Sequence, residues 1–302
     1  MQINTTLSRT KMNIQQLSNE TGIGVDALRI WERRYGFPAP ERDTRGFRIY
    51  SAEQVDELRL VKTLLDHGRR PGKIFALSAA ERRDLVAQLV TSDSTSDQGL
   101  RKLVEEGSPS RISAELTARR NELGLEAFVV DVALPLLQLL DHGWTMGRIN
   151  VAREHLVSDR LEELLKRELS AEEDNGERPQ VLFLTLSGER HKLGLLLAAT
   201  LFKQAGVAPL WLNEELPLSE IPALADELQV AGVALSFSSH YSPRQAREDL
   251  GLLRRSLSPR IRLIAGGQSV HQLPSLKDLI ISTDLQQIPQ LVKRHFLHPL
   301  KG

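Results

Sequence analysis

Five short apolar runs, separated by stretches of helical periodicity, constrain residues 177–302 more than any other feature constrains this chain. The runs at 181–186, 209–213, 233–236, 261–265 and 279–282 read as strands. The segments centred on 193–204, 218–229 and 244–257, with a last one at 285–296, read as helices. Parallel neighbours cannot be joined by a hairpin; each needs a crossover of a dozen or more residues, which a helix supplies. The rhythm predicts a doubly wound parallel sheet, flavodoxin-like and so Rossmann-like, with ligands bound outside the carboxyl ends of its strands.

Three short signatures fall just past such ends. The first is Glu189-Arg190-His191-Lys192-Leu193-Gly194; Ser236-Phe237-Ser238 follows after 41 intervening residues, and Gly266-Gly267 after 27 more. An imidazole past one strand and small residues past two others suit a large flat cofactor, one ligand reaching to a metal while bare backbone admits a bulky tail. The pattern resembles the cobalamin-binding domain of corrinoid mutases, methyltransferases and cobalamin-dependent regulators. That resemblance implies that His191 is the lower axial ligand of cobalt, with Glu189 holding its other ring nitrogen. Gly194 completes the first signature. Ser236 and Ser238 would line the slot for the displaced nucleotide tail, and Gly266 and Gly267 would let it approach. Ser238 stands where the pattern often has Leu. His240 and His271, near the same ends, read as surface residues.

At the other terminus, apolar positions predict a short helix from Ile14 with a stop at Thr21-Gly22, then a second from Val25 to Tyr35 with Leu28, Trp31 and Tyr35 on one stripe. Two helices around a glycine turn form a helix-turn-helix. Phe37-Pro38-Ala39-Pro40 breaks the pattern, and residues 41–50 read as a hairpin tipped by Thr44-Arg45-Gly46. Ser51, with Gln54 three residues on, reads as a capping box for a helix ending at Gly68. The runs Leu28 to Gly36 and Arg45 to Tyr50 resemble the winged helix-turn-helix of the MerR family over residues 12–75. The resemblance implies Arg29 and Arg33 in the major groove of duplex operator DNA, and Arg42, Arg45 and Arg48 on the adjacent backbone. Leu28 and Trp31 read as core. Arg34 and Glu32 can be an exposed pair, and Tyr50 is divided between wing core and phosphate donor.

The middle reads as helix throughout residues 100–170, with Leu134-Pro135 a kink or a start and a last helix from Val151 to Leu169. Polar runs at 91–99 and 172–179 mark its boundaries, giving expected domains of 1–78, 79–175 and 176–302. Residues 1–75 hold 13 Lys and Arg against 9 Asp and Glu, whereas residues 76–174 hold 12 against 19. A basic start and an acidic middle fit nucleic-acid binding confined to the N-terminus, though a chance fluctuation on a solvated face gives the same counts. Trp144 is followed after nine residues by Glu154-His155. The spacing resembles the helical cap of CarH/LitR-type regulators, MerR proteins that use cobalamin as a light sensor. It implies Trp144 over the upper axial ligand, with Glu154 and His155 near the same pocket. Members that sense light carry a second His beside the Trp; here Thr145 stands there, with His142 and His155 the nearest alternatives.

The chain has no cysteine, so disulfides and thiolate metal sites are excluded. No stretch has the apolar length of a membrane span and the start lacks a signal peptide's apolar core, so the expected location is cytoplasmic. The expectation is a multidomain α and α/β regulator, not an enzyme: a homo-oligomeric repressor binding cobalamin, with adenosylcobalamin the expected form. A cobalamin-independent MerR regulator using its sheet domain for oligomerisation or protein binding is the alternative. A corrinoid carrier for methyl transfer ranks last, since it has no use for a winged helix-turn-helix.

Overall fold

Asn13 opens the first helix through a capping box: its side chain accepts from the Gln16 N–H at 2.9 Å, and Gln16 accepts from the Asn13 N–H at 2.9 Å. The computed structural model describes residues 11–66, 69–92, 98–145, 149–170, 178–189, 191–238, 241–271, 273 and 276–297. Gly68, His240, most of the 91–99 run and most of the 172–179 run lie outside these residues, as do the side chains of His142, Trp144 and Thr145. The chain divides into two compact units, residues 1–96 with 141–150, and residues 97–140 with 151–302.

In the first unit, α1 (Ile14–Thr21) and α2 (Val25–Tyr35) form the helix-turn-helix. Strands β1 (Glu41–Arg42) and β2 (Arg48–Ile49) pair antiparallel as the wing, and α3 (Ala52–Asp66) follows. Two further helices, α4 (Pro71–Phe75) and α5 (Ala79–Ser92), complete it. Leu17, Leu28, Trp31, Leu58, Ile74 and Val86 share one core. Because Val86 of α5 belongs to that core, the unit runs past the boundary expected at residue 78. The expected capping box at Ser51 does not form as drawn. The Gln54 side chain donates instead to the Ala39 carbonyl at 2.7 Å, closing the proline segment onto α3. Ser78 and Glu81 make the reciprocal bonds, at the start of α5.

The helical stretch is broken into α6 (Gln98–Glu106), α7 (Pro109–Leu123), α8 (Leu125–Phe128), α9 (Leu134–Thr145) and α10 (Val151–Ser170), which belong to the second unit except for residues 141–145 of α9. A π turn at Val129–Ala133 joins α8 to α9, with the Leu134 N–H bonded to the Val129 carbonyl five residues back. Pro135 lacks an N–H and its ring crowds the carbonyl four residues earlier, so a widened turn ahead of it relieves what would otherwise be a kink. Val157, Leu161, Leu164 and Leu165 give α10 its buried stripe. Among the described residues no helix is long and apolar enough to cross a membrane.

The sheet comprises β3 (Gln180–Leu186), β4 (Ala208–Leu216), β5 (Gly232–Ser236), β6 (Arg262–Gly266) and β7 (Leu279–Ser282), all parallel, in the order β4-β3-β5-β6-β7. Helices α11 (Leu193–Gln204), α12 (Ile221–Glu227), α13 (Pro243–Ser256) and α14 (Ile288–Val292) accompany it. Every β3 side chain from Val181 to Leu186 is buried, as expected of a strand covered on both faces. The edge strand β4 outruns its expected span at both ends, following β3 beyond a register shift between Phe183 and Thr185. The single helix expected over 285–296 is a 3-10 turn, then α14, then a π turn at Lys293–Leu297. The chain leaves β3 toward β4 on one side and returns to β5 on the other, so the order reverses between β3 and β5. A crevice for ligands opens at such a reversal.

Candidate functional site

The loops after β3 and β5 meet at that reversal, around one buried carboxylate. Glu189 is 1% exposed. Its Oε1 accepts from the His191 backbone N–H at 2.8 Å, His191 Nδ1 at 3.1 Å and Ser238 Oγ at 3.0 Å; Oε2 accepts from the Ser238 N–H at 2.7 Å. Burial works against the charged form, but the hydrogen bonds from His191 and Ser238 outweigh it and hold the carboxyl below the usual carboxylate range. A carboxylate only accepts, so in the neutral ring the proton sits on Nδ1 and the lone pair on Nε2. The His191 side chain is 54% exposed. An imidazole in the loop past β3, with Nδ1 held by a buried carboxylate, has the form of a metal ligand whose other nitrogen is oriented by a carboxylate.

Ser238, expected to line a slot, closes the ring of donors around Glu189. Ser269, 6% exposed, shares its one hydroxyl proton between the carbonyls of Ser238 and Tyr241, both within reach. Sequence reasoning missed Ser269, which carries no signal beyond following Gly266-Gly267 by two residues. Ser236 pairs with Gly266 at the ends of β5 and β6. The two glycines answer first to the protein itself. A Cβ on Gly267 would lie 2.3 Å from the Phe237 carbonyl oxygen, and its φ of +92° is one that L side chains rarely adopt. A Cβ on Gly266 would lie 3.0 Å from the Ser282 carbonyl oxygen. Gly194, on the first turn of α11, is the opposite case, since a Cβ there meets nothing within 4 Å. His271 is exposed, as expected.

Glu154 and His155 open α10, where His155 Nδ1 lies 2.5 Å from a Glu154 oxygen and Ser158 Oγ donates to the other at 2.7 Å. His155 is 70% exposed. Trp144 belongs by its backbone to α9, and residues 141–150 group with the first unit rather than with the helices flanking them.

In the first unit the outward face of α2 carries Asp26, Arg29, Ile30, Arg33 and Arg34, all exposed. Arg29 lies 3.7 Å from Asp26, a long contact. Arg34 does not pair with Glu32, because residues two apart on a helix do not face each other. Glu32 instead accepts from Arg48 Nε at 3.1 Å, tying β2 to α2. Arg42 donates to the Gly46 carbonyl at 2.6 Å, and the Asp43 carboxylate accepts from the N–H groups of Arg45 and Phe47. Asp43 with Gly46 is turn chemistry that the sequence offered and the reading passed over. Arg45, at the tip, is exposed. Tyr50 departs from the phosphate-donor expectation: it is fully buried in the core, its hydroxyl has no hydrogen-bond partner among the described residues, and burial raises its pKa. A side chain sealed in this way is not a phosphate donor.

Residues 12–79 match the MerR HTH family of regulatory proteins. Over 265 residues the chain is 28% identical to the HTH-type transcriptional repressor CarA of Myxococcus xanthus, covering 85% of this chain and 86% of that one. It is likewise 28% identical over 256 residues to the repressor CarH of the same organism, covering 82% and 85%. A solved cobalamin-binding protein from Desulfitobacterium hafniense DCB-2 aligns at 15% identity and a TM-score of 0.32, over 65% of this chain and 96% of that one. The chain thus carries a MerR-family helix-turn-helix domain at residues 12–79 and resembles two transcriptional repressors along most of its length.

Proposed function

We propose that this chain is a transcriptional repressor that grips duplex operator DNA with its first unit and binds cobalamin at the β3–β5 crevice. The observation that carries the second half is the buried Glu189 carboxylate, which holds the Nδ1 side of the half-exposed His191 imidazole. The residues fit the group: His191 would ligate cobalt, Ser236 and Ser238 would flank the nucleotide tail, and the open space over Gly194 leaves room beside them. Similarity to CarA and CarH over both units supports the pairing of the two activities. Bound cobalamin would supply a cobalt centre with an exchangeable ligand; adenosylcobalamin is the form we expect, and Trp144, Glu154 and His155 would contribute to its pocket. The domains then divide as DNA-binding wing, helical cap and sheet, in a homo-oligomer. Ligand state can control DNA binding only if the assembly states differ in affinity for the cofactor, so oligomerisation is the equilibrium to measure.

The test is an absorption spectrum of the protein mixed with adenosylcobalamin in the dark and again after illumination, with size-exclusion chromatography of each state. Wild type should show a spectrum with the cofactor's own base displaced, and His191→Ala should lose it or keep that base on cobalt. A wild type that stays colourless while still binding its operator would overturn the cofactor reading and leave the DNA reading standing. Identical elution of apo, dark and illuminated protein would remove the switch.

A further inference from the structure

Within the first unit, two large apolar side chains stand out in solvent: Phe47 at the wing and Ile30 on α2, 48% exposed. Ile30 lies at the centre of the outward face, flanked by Arg29, Arg33 and Arg34, while Leu28 and Trp31 supply the buried stripe. Nothing in the packing of α2 requires an aliphatic residue at this position. A scattered exposed apolar residue is ordinary; one framed by three arginines on the face offered to a polyanion has a specific use. Phosphates and base edges reward the arginines, and the apolar group in the major groove is the thymine C5-methyl. Ile is also β-branched and holds nearly a single χ1 rotamer in a helix, so it brings its methyl groups to a fixed place at little entropic cost.

We infer that Ile30 reads a thymine methyl in the major groove and is a specificity-determining residue of this protein. The inference rests on the proposed DNA-binding function. The recognised chemistry is a 5-methyl group on a pyrimidine, which thymine has and uracil lacks, while every hydrogen-bonding group is the same in the two. The arginines set orientation and affinity; Ile30 adds discrimination that no hydrogen bond on this face provides.

The experiment uses the full chain and the duplex it selects from a random pool. Each thymine of that duplex is replaced singly by deoxyuridine, and binding is measured for wild type and for Ile30→Ala. One position per half-site should weaken wild-type binding about fourfold, the value of one buried methyl-sized group. Ile30→Ala should bind the unmodified duplex more weakly and be indifferent to that same replacement. Equal responses of wild type and Ile30→Ala at every position overturn the assignment. So does a changed oligomeric state of Ile30→Ala with its methyl response intact, which would place Ile30 against a second copy of the chain. A wild type that selects no sequence at all defeats the DNA-binding reading instead, and the inference with it.

Discussion

Replacing Glu189 with Gln keeps the shape of the buried acceptor and removes its charge. Of the two oxygens, Oε1 receives three hydrogen bonds and Oε2 one. The amide therefore settles with its carbonyl at the Oε1 position, and its NH2 then confronts the Ser238 N–H across 2.7 Å, donor against donor. An unsatisfied buried donor costs about 1–3 kcal/mol. The three remaining bonds fall from charge-assisted to neutral, roughly halving each. Cheaper burial of a neutral amide offsets part of the loss, leaving a net destabilisation of about 2–3 kcal/mol. Amide hydrogen exchange of segments 180–186 and 232–238 reports that loss, and imidazole 15N shifts report the proton position on His191. The sign of the pH dependence follows from the depressed carboxyl: its contribution is in full force above the ordinary carboxylate range and disappears as pH falls through the lower folded value. Glu189→Gln should flatten that acid limb. A loss under about 1 kcal/mol, with Nδ1 still protonated and the acid limb unchanged, would refute the reasoning.

Three further outcomes are expected. Tyr50→Phe removes a buried hydroxyl without a partner and should stabilise the first unit by about 1 kcal/mol in thermal melts, with operator affinity unchanged; weaker operator binding would return Tyr50 to the DNA surface. Arg45→Ala should weaken all sequences alike and lower the salt slope by about one, whereas Arg48→Ala should act mainly through the lost tie to Glu32, with a coupling of about 0.5–1 kcal/mol in a double-mutant cycle against Glu32→Gln. Gly194→Ala should stabilise apo protein by about 0.5–1 kcal/mol, having room for its methyl, while lowering cobalamin affinity; unchanged affinity would move the cofactor away from the first turn of α11.

What the sequence made legible was what depends on period. The alternation beyond residue 180 yields the five parallel strands, because buried strands and crossover helices leave few other patterns, and α2 and α11 fall on their expected residues. What it hid depends on three-dimensional neighbours. Ser51-x-x-Gln54 has the letters of a capping box, but the Ala39 carbonyl lies near enough to take the Gln54 side chain. The division of Tyr50 between core and surface was settled by packing under α3, which no local pattern encodes. At the candidate site, the bond between Glu189 and His191 was expected from the resemblance of their motif to a cobalamin-binding domain. The bonding of Ser238 to both was not, since they meet only when loops 49 and 47 positions apart fold together.

The close approach of Gly267 to Phe237 separates two kinds of evidence that are easily confused. A side chain at 267 collides with backbone whether or not any cofactor is present, so the demand for glycine there belongs to the architecture of the strand-end loop. A relative that had abandoned corrin binding would still be obliged to keep this glycine, while nothing in the fold would oblige it to keep an imidazole at 191. Glycine at 267 is thus a requirement of the loop itself, whereas the pairing of His191 with Glu189 is what the proposed cofactor site would rest on. If the proposed function holds, a glycine at 267 alone would not tell a cofactor-binding chain from one that merely shares the loop.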